Sequence, residues 1–184
     1  MITGHTLARA DIGRIWQIDR SEVIEAVYIL VDGALVLRPD HFEATGWPPG
    51  ESQQYTPILE ACYDRGGWFY GLFDEQRLVG IVVLDTRALG TDLQQRQLLF
   101  LHIDHAYRGQ GLGRKLFRMA AAEARRRGAA RLYISATPSE HTITFYLQLG
   151  CTLAREVDPV LFALEPEDIH LEYELDTGQE ASDE

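Results

Sequence analysis

The stretch that most constrains the fold is residues 98–118, which read LLFLHIDHAYRGQGLGRKLFR. Its apolar start predicts a strand over Leu98–Asp104, and the pattern that follows predicts a helix over Leu112–Arg127, closed by Gly128. Three glycines stand at alternate positions between them, at 109, 111 and 113. The first N–H groups of a helix are unpaired and carry a partial positive charge, and glycine lets a ligand approach the backbone closely. The stretch therefore predicts a strand, an anion-binding loop and a helix.

Two common glycine-rich nucleotide motifs do not fit this spacing. The P-loop pattern GxxxxGK[ST] does not occur in the chain. The dinucleotide fingerprint GxGxxG needs a glycine where Arg114 stands, and the next strand, YISAT, does not end in an acidic residue that would hold a ribose. Both classes of nucleotide site are therefore excluded on spacing.

The rest of the chain predicts a mixed sheet with helices around it. Before the glycine loop we expect a strand over residues 2–8, a helix over Ala10–Ile18, a hairpin turning at Asp32-Gly33, a helix from near Thr56 to Gly66, and a second hairpin around DEQ. After the loop we expect the strand RLYISA, a helix from Pro138 to about Leu149 capped by Thr137, and the strands CTLAREV and IHLEYEL.

These elements predict an α/β (α+β) sandwich in which about six to seven strands are flanked by about four helices. We expect one domain over residues 1–176 and a disordered acidic tail over 177–184. The two cysteines, Cys62 and Cys151, have no metal-ligand spacing, so neither a disulfide framework nor a metal site is expected. Without a spanning or signal segment, the predicted location is the cytoplasm.

Charge is distributed unevenly along the chain. The net charge is −11, yet residues 108–131 hold eight of the 17 cations and one acid, a net of +7 that leaves about −18 elsewhere. The acidic balance argues against nucleic acid or a membrane surface as a partner. A basic island within an acidic chain favours a local anionic ligand, although Arg125–Arg127 also fits a solvated helix face.

Two motifs together carry a family resemblance. The pattern Arg/Gln-x-x-Gly-x-Gly/Ala is met by Arg108, Gly111 and Gly113 at the end of a mid-chain strand. Downstream, SEHTITFYLQLGC is similar to a helix that ends in FY-x-x-x-G-[CF]. From about Leu98 to Val157 the chain resembles the GNAT acetyltransferases. The resemblance implies acetyl-CoA as cosubstrate and an amine as acceptor.

The resemblance also implies which residues would hold acetyl-CoA. Loop backbone N–H groups would hold the pyrophosphate, and these belong to Arg108, Gly109, Gln110, Gly111, Leu112, Gly113 and Arg114. Lys115 and Arg118, one helical turn apart, would add positive charge. The strand before the loop would splay from its neighbour, so that the main chain of Leu101, His102 and Ile103 pairs with the pantetheine arm. His141 stands where many relatives have an asparagine that contacts this arm.

Tyr146 matches the tyrosine that usually faces the sulfur of coenzyme A. A phenol of pKa near 10 is a weaker acid than a thiol near 8.5, so full proton transfer to the thiolate is uphill by roughly 2 kcal/mol. A hydrogen bond that stabilises the departing thiolate is therefore its expected contribution. The alternative is a core aromatic beside Ile143 and Leu149.

The sequence constrains the group that accepts the proton of the amine less closely than it constrains the acetyl-CoA site. Strand alternation places Leu98, Phe100, His102 and Asp104 on one face, and an imidazole of pKa near 6.5 suits a base at neutral pH. His102 is therefore a candidate base, with a hydrogen-bonded structural histidine as the alternative. Glu22 and Glu25 are weaker candidates for binding the acceptor. A water relay without a dedicated side chain is the remaining option.

The expected activity is N-acetylation of a small-molecule or peptide amine by direct attack in a ternary complex. The alternative is a non-catalytic module on the same fold that binds or senses acyl-CoA. The acidic remainder of the chain favours a cationic amine. The sequence is also compatible with a homodimer.

Overall fold

Nine strands and four α-helices make up residues 1–175, which the computed structural model describes. The strands are β1 (Ile2–Thr6), β2 (Glu22–Val31), β3 (Ala34–Ala44), β4 (Trp68–Asp74), β5 (Arg77–Leu89), β6 (Gln95–Ile103), β7 (Arg131–Ala136), β8 (Thr152–Leu153) and β9 (Ile169–Glu174). The helices are α1 (Glu51–Asp64), α2 (Leu112–Arg126), α3 (Glu140–Gln148) and α4 (Pro159–Leu164), with 3-10 segments at Arg9–Gln17 and His105–Tyr107. The predicted tail over 177–184 and the domain boundary at 176 lie outside the described residues.

Seven strands form one mixed sheet in the order β1-β4-β5-β6-β7-β9-β8, and β2 and β3 form a separate hairpin. All neighbours in the large sheet are antiparallel except β6 and β7, which α2 connects as a parallel pair. A parallel pair needs such a crossover because the chain must return to the end at which the first strand began. The predicted α/β (α+β) sandwich is confirmed.

Apolar side chains fill a core on each face of the sheet. On one face, α2 and α3 contribute Leu116, Phe117 and Ile143, each at most 1% exposed. On the other face, the first 3-10 segment and α1 contribute Ile15 and Leu59, both fully buried. Within residues 1–175, no helix is long and apolar enough to cross a lipid bilayer.

The helix predicted over Ala10–Ile18 is present as a 3-10 helix over Arg9–Gln17. Ile12 and Ile15 within the segment, and Ile18 directly after it, are at most 2% exposed. They are three positions apart, and a helix with three residues per turn aligns them along one line facing the core. The spacing of three fits the tighter helix.

Other helix boundaries also differ from the expected ones. Helix α1 begins at Glu51 rather than near Thr56, because Gly50 adopts a left-handed conformation (φ +86°) immediately before it. Pro57 therefore lies inside the helix. Helix α4 was not predicted from the sequence; the Asp158 carboxylate caps it, and Pro159 occupies its first position.

Helix α3 begins at Glu140 instead of Pro138. The Ser139 hydroxyl accepts a hydrogen bond from the Thr142 N–H at 3.3 Å, so Ser139 is the N-cap. The prediction that Thr137 caps the helix is wrong. Serine and threonine are both favourable N-cap residues. Ser139 takes this position because its hydroxyl reaches the N–H group of Thr142, three residues later.

Strand β6 begins at Gln95 and ends at Ile103, whereas 98–104 was predicted. Its register with β5 shifts between the pairs Val83–Phe100 and Leu84–Leu98, which leaves Leu99 as an extra residue. Leu98 consequently packs in the α2 core, while Phe100 packs in the α1 core. The prediction that Leu98, Phe100 and His102 share one face is wrong at Leu98, because a bulge shifts the alternation by one residue.

Candidate active site

The glycine loop adopts the backbone conformation that only glycine tolerates well. Gly109 and Gly111 have φ of +74° and +78°, and Gly111 is the N-cap of α2. A Cβ atom added at either position would meet no atom within 4 Å. Glycine is therefore required at 109 and 111 for the left-handed turn, and the space in front of the loop is open.

The start of α2 presents unpaired backbone donors towards this space. The first backbone hydrogen bond at the N-terminal end of α2 is donated by the Lys115 N–H to the Gly111 carbonyl, at 3.0 Å. The N–H groups of Leu112, Gly113 and Arg114 make no backbone hydrogen bond within residues 1–175. Three exposed side chains make no ion pair with another described residue: Arg114, Lys115 and Arg118. Unpaired N–H groups at a helix start, with cations beside them, are suited to an anionic ligand.

Gly113 has a role that differs from that of the other two glycines. Its φ is not left-handed, and a Cβ at this position would approach the Phe145 ring at 3.3 Å and Ile103 at 3.8 Å. The glycine therefore lets α2 approach α3 and β6 closely. Its N–H group is one of the unpaired donors at the start of α2, while its missing side chain serves helix packing.

Buried polar contacts hold the loop in place. The Arg108 guanidinium donates to the Ile103 carbonyl and to the Ser21 carbonyl, both at 3.1 Å. The Asp104 carboxylate, 1% exposed, accepts from the Arg77 guanidinium at 2.7 Å and from the Ala106 N–H at 3.1 Å. The Arg108 side chain thus anchors the loop, and its backbone N–H donates to the His105 carbonyl at 3.3 Å, so the prediction that this N–H holds a phosphate has no support.

Strands β6 and β7 separate next to the loop. Their pairing covers three positions and ends with Gln97 opposite Tyr133. Beyond that point, the edge of Leu101, His102 and Ile103 that faces β7 has no strand partner, although β5 still pairs with the other edge. The predicted splay is present, and it leaves a row of main-chain donors and acceptors for an extended ligand.

Tyr146 lies where α3 meets this opening. The side chain is 7% exposed, and its ring contacts Phe117 and Phe145 at centroid distances of 6.1 and 5.1 Å. Its hydroxyl makes no hydrogen bond within residues 1–175. Burial, and then the nearby Cys151 and Asp168, raise the pKa of Tyr146 well above its ordinary value of 10. The phenol therefore stays protonated and available as a hydrogen-bond donor.

His102 faces an aromatic wall on the other side of β6. Its ring lies 4.8 Å from that of Trp47 and 5.1 Å from that of Phe100. Burial, and then the charges of Arg20 and Arg108, lower the pKa of His102 to about 3. The premise that this imidazole titrates near 6.5 is wrong. No hydrogen bond to its ring is present within residues 1–175, so the structural-histidine alternative has no support there.

The lowered pKa of His102 predicts a specific dependence of stability on pH. The folded protein favours the neutral imidazole, so this contribution to stability is complete above about pH 6.5 and falls as the pH approaches the folded-state value. Between about pH 6.5 and 4, the wild type should lose up to about 1.4 kcal/mol per pH unit relative to His102→Gln. Chemical denaturation of both proteins across this range measures the difference. Parallel stability curves would refute the burial of a neutral His102.

His141 lies beside the path from the loop to Tyr146. It is exposed at the second position of α3, four residues before Phe145, which contacts Gly113. An open cavity of about 410 Å³ is lined by Glu140, His141, Thr144, Phe145 and Gln148. This placement is compatible with the predicted contact to the cosubstrate.

The two glutamates predicted to bind the acceptor lie on the β2–β3 hairpin. Glu25 is exposed and its Oε2 lies 3.0 Å from Nδ1 of His41 on the neighbouring strand. Glu22 opens β2 opposite Ala44, next to Ser21. Neither glutamate is among the charges that act on His102 or Tyr146.

Sequence reasoning did not identify Asp168, the acidic side chain whose charge acts on Tyr146. Asp168 precedes β9, whose first residue, Ile169, pairs with Ala136 at the end of β7. The available signal was an acidic residue directly before the final strand, IHLEYEL. To use this signal, one must know that the final strand pairs with β7. Helix α4, which ends directly before Glu165, was also not predicted.

The chain matches known proteins in sequence and in structure. A family model described as "Acetyltransferase (GNAT) family" matches residues 36–151. The structure of Nourseothricin acetyltransferase is 20% identical with a TM-score of 0.72, covering 95% of this chain and 99% of that one. A provisionally assigned streptothricin acetyltransferase from Bacillus anthracis str. Ames was solved in complex with acetyl coenzyme A. It is 15% identical with a TM-score of 0.69, and the match covers 96% of this chain and 99% of that one.

A third structure, the PaiA N-acetyltransferase from Thermoplasma acidophilum in complex with coenzyme A, is 15% identical with a TM-score of 0.61 and covers 95% of this chain and 99% of that one. A search of curated proteins found no match. At these identities the structures show a common fold. They do not indicate a common acceptor.

Proposed function

Because the chain belongs to the GNAT acetyltransferase family, we propose that it transfers the acetyl group of acetyl-CoA to a primary amine by direct attack in a ternary complex. The observation that carries the proposal is the opening between β6 and β7. The unpaired N–H groups of α2 lie at one end, the free edge of β6 follows, and the unpartnered Tyr146 hydroxyl is at the α3 side.

These groups suit the parts of acetyl-CoA, which supplies the thioester that is consumed. The N–H groups of Leu112, Gly113 and Arg114 fit a pyrophosphate, and the free cations of α2 add attraction. The edge of β6 over residues 101–103 fits the amides of the pantetheine arm, because an extended chain pairs with an open strand edge.

Tyr146 would act at the sulfur. With its pKa raised above 10, full proton transfer to a thiolate is still less favourable than for a free phenol. A hydrogen bond in a buried setting stabilises a developing negative charge without such a transfer. The hydroxyl would therefore lower the barrier to thiolate departure by donating a hydrogen bond.

The cysteines support direct transfer over a covalent acetyl-enzyme. Cys62 and Cys151 are 0% and 3% exposed, and they are the two cysteines of the whole chain. Burial raises the pKa of each thiol to about 12. A thiolate is the reactive form of cysteine, so neither residue is suited to accept the acetyl group.

A thiol-release screen with acetyl-CoA and a panel of amines tests the proposal. The panel would contain polyamines, aminoglycosides, amino acids and peptides with free N-termini. We expect free coenzyme A to appear only when an amine is present. Tight acetyl-CoA binding without thiol release for any amine would instead support the non-catalytic acyl-CoA-binding module.

A further inference from the structure

A three-residue turn between the first 3-10 segment and β2 is tied to the loop that follows β6, and we call residues 19–21 the DRS turn. The His105 N–H donates to the Asp19 carbonyl at 2.7 Å, and the Asp19 N–H donates to the Asp104 carboxylate at 3.1 Å. Within the turn, the Ser21 N–H donates to the Asp19 carboxylate at 2.8 Å. The position of the turn is therefore fixed by the residues that lead into the glycine loop.

The Ser21 carbonyl is the point at which side chains of that loop meet the DRS turn. Nδ1 of His105 donates to it at 2.9 Å, and Nη1 of Arg108 donates to it at 3.1 Å. At the same time, Nε of Arg108 donates to the Ile103 carbonyl, also at 3.1 Å. Because the guanidinium is planar and its donors have fixed directions, one side chain holds the end of β6 and the DRS turn at a set separation.

The Arg108 guanidinium has capacity for a further partner. Its Nη2 group makes no hydrogen bond with a described residue, and its charge forms no ion pair within residues 1–175. Arg108 stands directly before Gly109, the first left-handed residue of the glycine loop. A cation that is held by two neutral carbonyls responds to an anion beside it, because hydrogen bonds between charged groups are roughly twice as strong as those between neutral ones.

The DRS turn also positions two side chains on the face of the sheet opposite α2. The Arg20 guanidinium lies 4.9 Å from the centre of the Trp47 ring and donates to both Glu51 oxygens, at 2.9 and 3.2 Å. The Trp47 indole N–H donates at 2.8 Å to the carbonyl of Ile18, the residue before the turn. The same Trp47 ring lies 4.8 Å from that of His102. A displacement of the turn therefore reaches the aromatic wall by two routes.

We propose that Arg108 is a positioning residue that couples the glycine loop to the aromatic wall, so that an anion in the loop changes the position of Arg20 and Trp47. This inference rests on the proposed acetyl transfer, and it adds a link between the sites of the two substrates. Helices α2 and α3 cover one face of the sheet beside the opening, so the amine would approach the thioester from the other face, along the aromatic wall. Bound acetyl-CoA would thereby set the geometry of the side that receives the amine.

Arg77 provides a contrast within the same loop. Its guanidinium donates to the Asp104 carboxylate at 2.7 Å, so it also supports the segment after β6. It makes no hydrogen bond to the DRS turn within residues 1–175, and its removal leaves both donors to the Ser21 carbonyl in place. Arg77 therefore separates support of the loop from coupling to the turn.

Fluorine NMR of protein that carries 5-fluorotryptophan tests the coupling. The chain has three tryptophans, so three resonances are expected, and Trp47→Phe and Trp68→Phe assign two of them. The probe is ADP, which has a pyrophosphate group and no pantetheine arm that could reach the aromatic wall. In the wild type, the Trp47 resonance should shift as ADP binds. The Trp68 resonance should stay in place, because Trp68 pairs with Leu84 at the end of the sheet farther from the loop.

Three variants separate coupling from support. Arg108→Met removes both carbonyl contacts and should lose most of the Trp47 shift, compared at equal ADP occupancy as fixed by calorimetry. His105→Phe removes one of the two donors to the Ser21 carbonyl and should show a reduced shift, and it carries the test if Arg108→Met does not fold. The matched control, Arg77→Met, should keep the full shift. A purely structural role of Arg108 would lower stability and leave the Trp47 shift unchanged.

The outcomes distinguish this inference from the proposed function. A Trp47 shift of equal size in the wild type and in the Arg108 and His105 variants overturns the coupling and leaves acetyl transfer intact. Bound ADP without any Trp47 shift in the wild type does the same. Failure of ADP to bind would show that the loop is not a pyrophosphate site, which overturns this inference together with that part of the proposed function. The thiol-release screen tests the transfer itself independently.

Discussion

Gly111→Val should weaken acetyl-CoA binding about 100-fold, which corresponds to the loss of about two hydrogen bonds to a charged group. Gly111 has φ of +78°, and a β-branched residue is strongly disfavoured there, so the loop must change its conformation. The side chain would also extend into the open space in front of the loop. Isothermal titration with acetyl-CoA measures the loss.

Gly128→Val is the matched control because Gly128 follows the other end of the same helix. Its φ is +81°, and a Cβ there would also meet nothing within 4 Å. Both substitutions should reduce stability by a similar amount, on the order of 1–2 kcal/mol. Only Gly111→Val should lose acetyl-CoA affinity. Equal affinities in the two variants would show that the loop is not the pyrophosphate site.

Tyr146→Phe should lower kcat about 100-fold and leave acetyl-CoA affinity within about threefold of the wild type. The hydroxyl has no partner within residues 1–175, so its removal should leave stability nearly unchanged. Its expected contribution arises only when negative charge develops on the sulfur. Steady-state kinetics with a responsive amine, together with calorimetry, would separate kcat from binding.

Tyr133→Phe provides the contrasting control. The Tyr133 hydroxyl shares a 2.7 Å hydrogen bond with Nδ1 of His170 and accepts the Asp158 N–H at 2.9 Å. Its loss should lower the free energy of unfolding by about 1–3 kcal/mol without lowering kcat. If Tyr146→Phe lost stability and kept its turnover, the hydroxyl would be structural and the proposed role at the sulfur would be wrong.

The central part of the fold was predictable because its determinants are local. A β-rich run, left-handed glycines and an amphipathic helix follow one another within residues 98–128, and each depends on neighbours in sequence. The isoleucines at 12, 15 and 18 also indicated the type of helix, since a spacing of three fits a 3-10 helix better than an α-helix. The prediction of a helix there did not distinguish the two helix types.

The features that escaped prediction depend on residues far apart in sequence. The bulge at Leu99 exists only in the pairing of β6 with β5, so alternation along one strand cannot reveal it. The low pKa of His102 arises from burial and from Arg20 and Arg108. Glu165 meets α1 only in the folded chain, where it accepts a hydrogen bond from the Tyr55 hydroxyl.

Gly113 has a packing role that the glycine motif did not indicate. The motif placed it in the anion site, and its N–H group does belong to the unpaired start of α2. The absence of its side chain, however, serves the approach of Phe145 at 3.3 Å. A spacing motif identifies positions where glycine is required, but close packing between helices is visible only in the folded chain.

Tracking an isotopically labelled acetyl group from acetyl-CoA tests the central claim most directly. The protein would be incubated with labelled acetyl-CoA, with and without 1,4-diaminobutane and the wider amine panel, and the masses of protein and amines would be measured. Direct transfer predicts an unmodified protein in both cases and an N-acetylated amine only when amine is present. Label on a protein cysteine, or no labelled amine from any member of the panel, would contradict it.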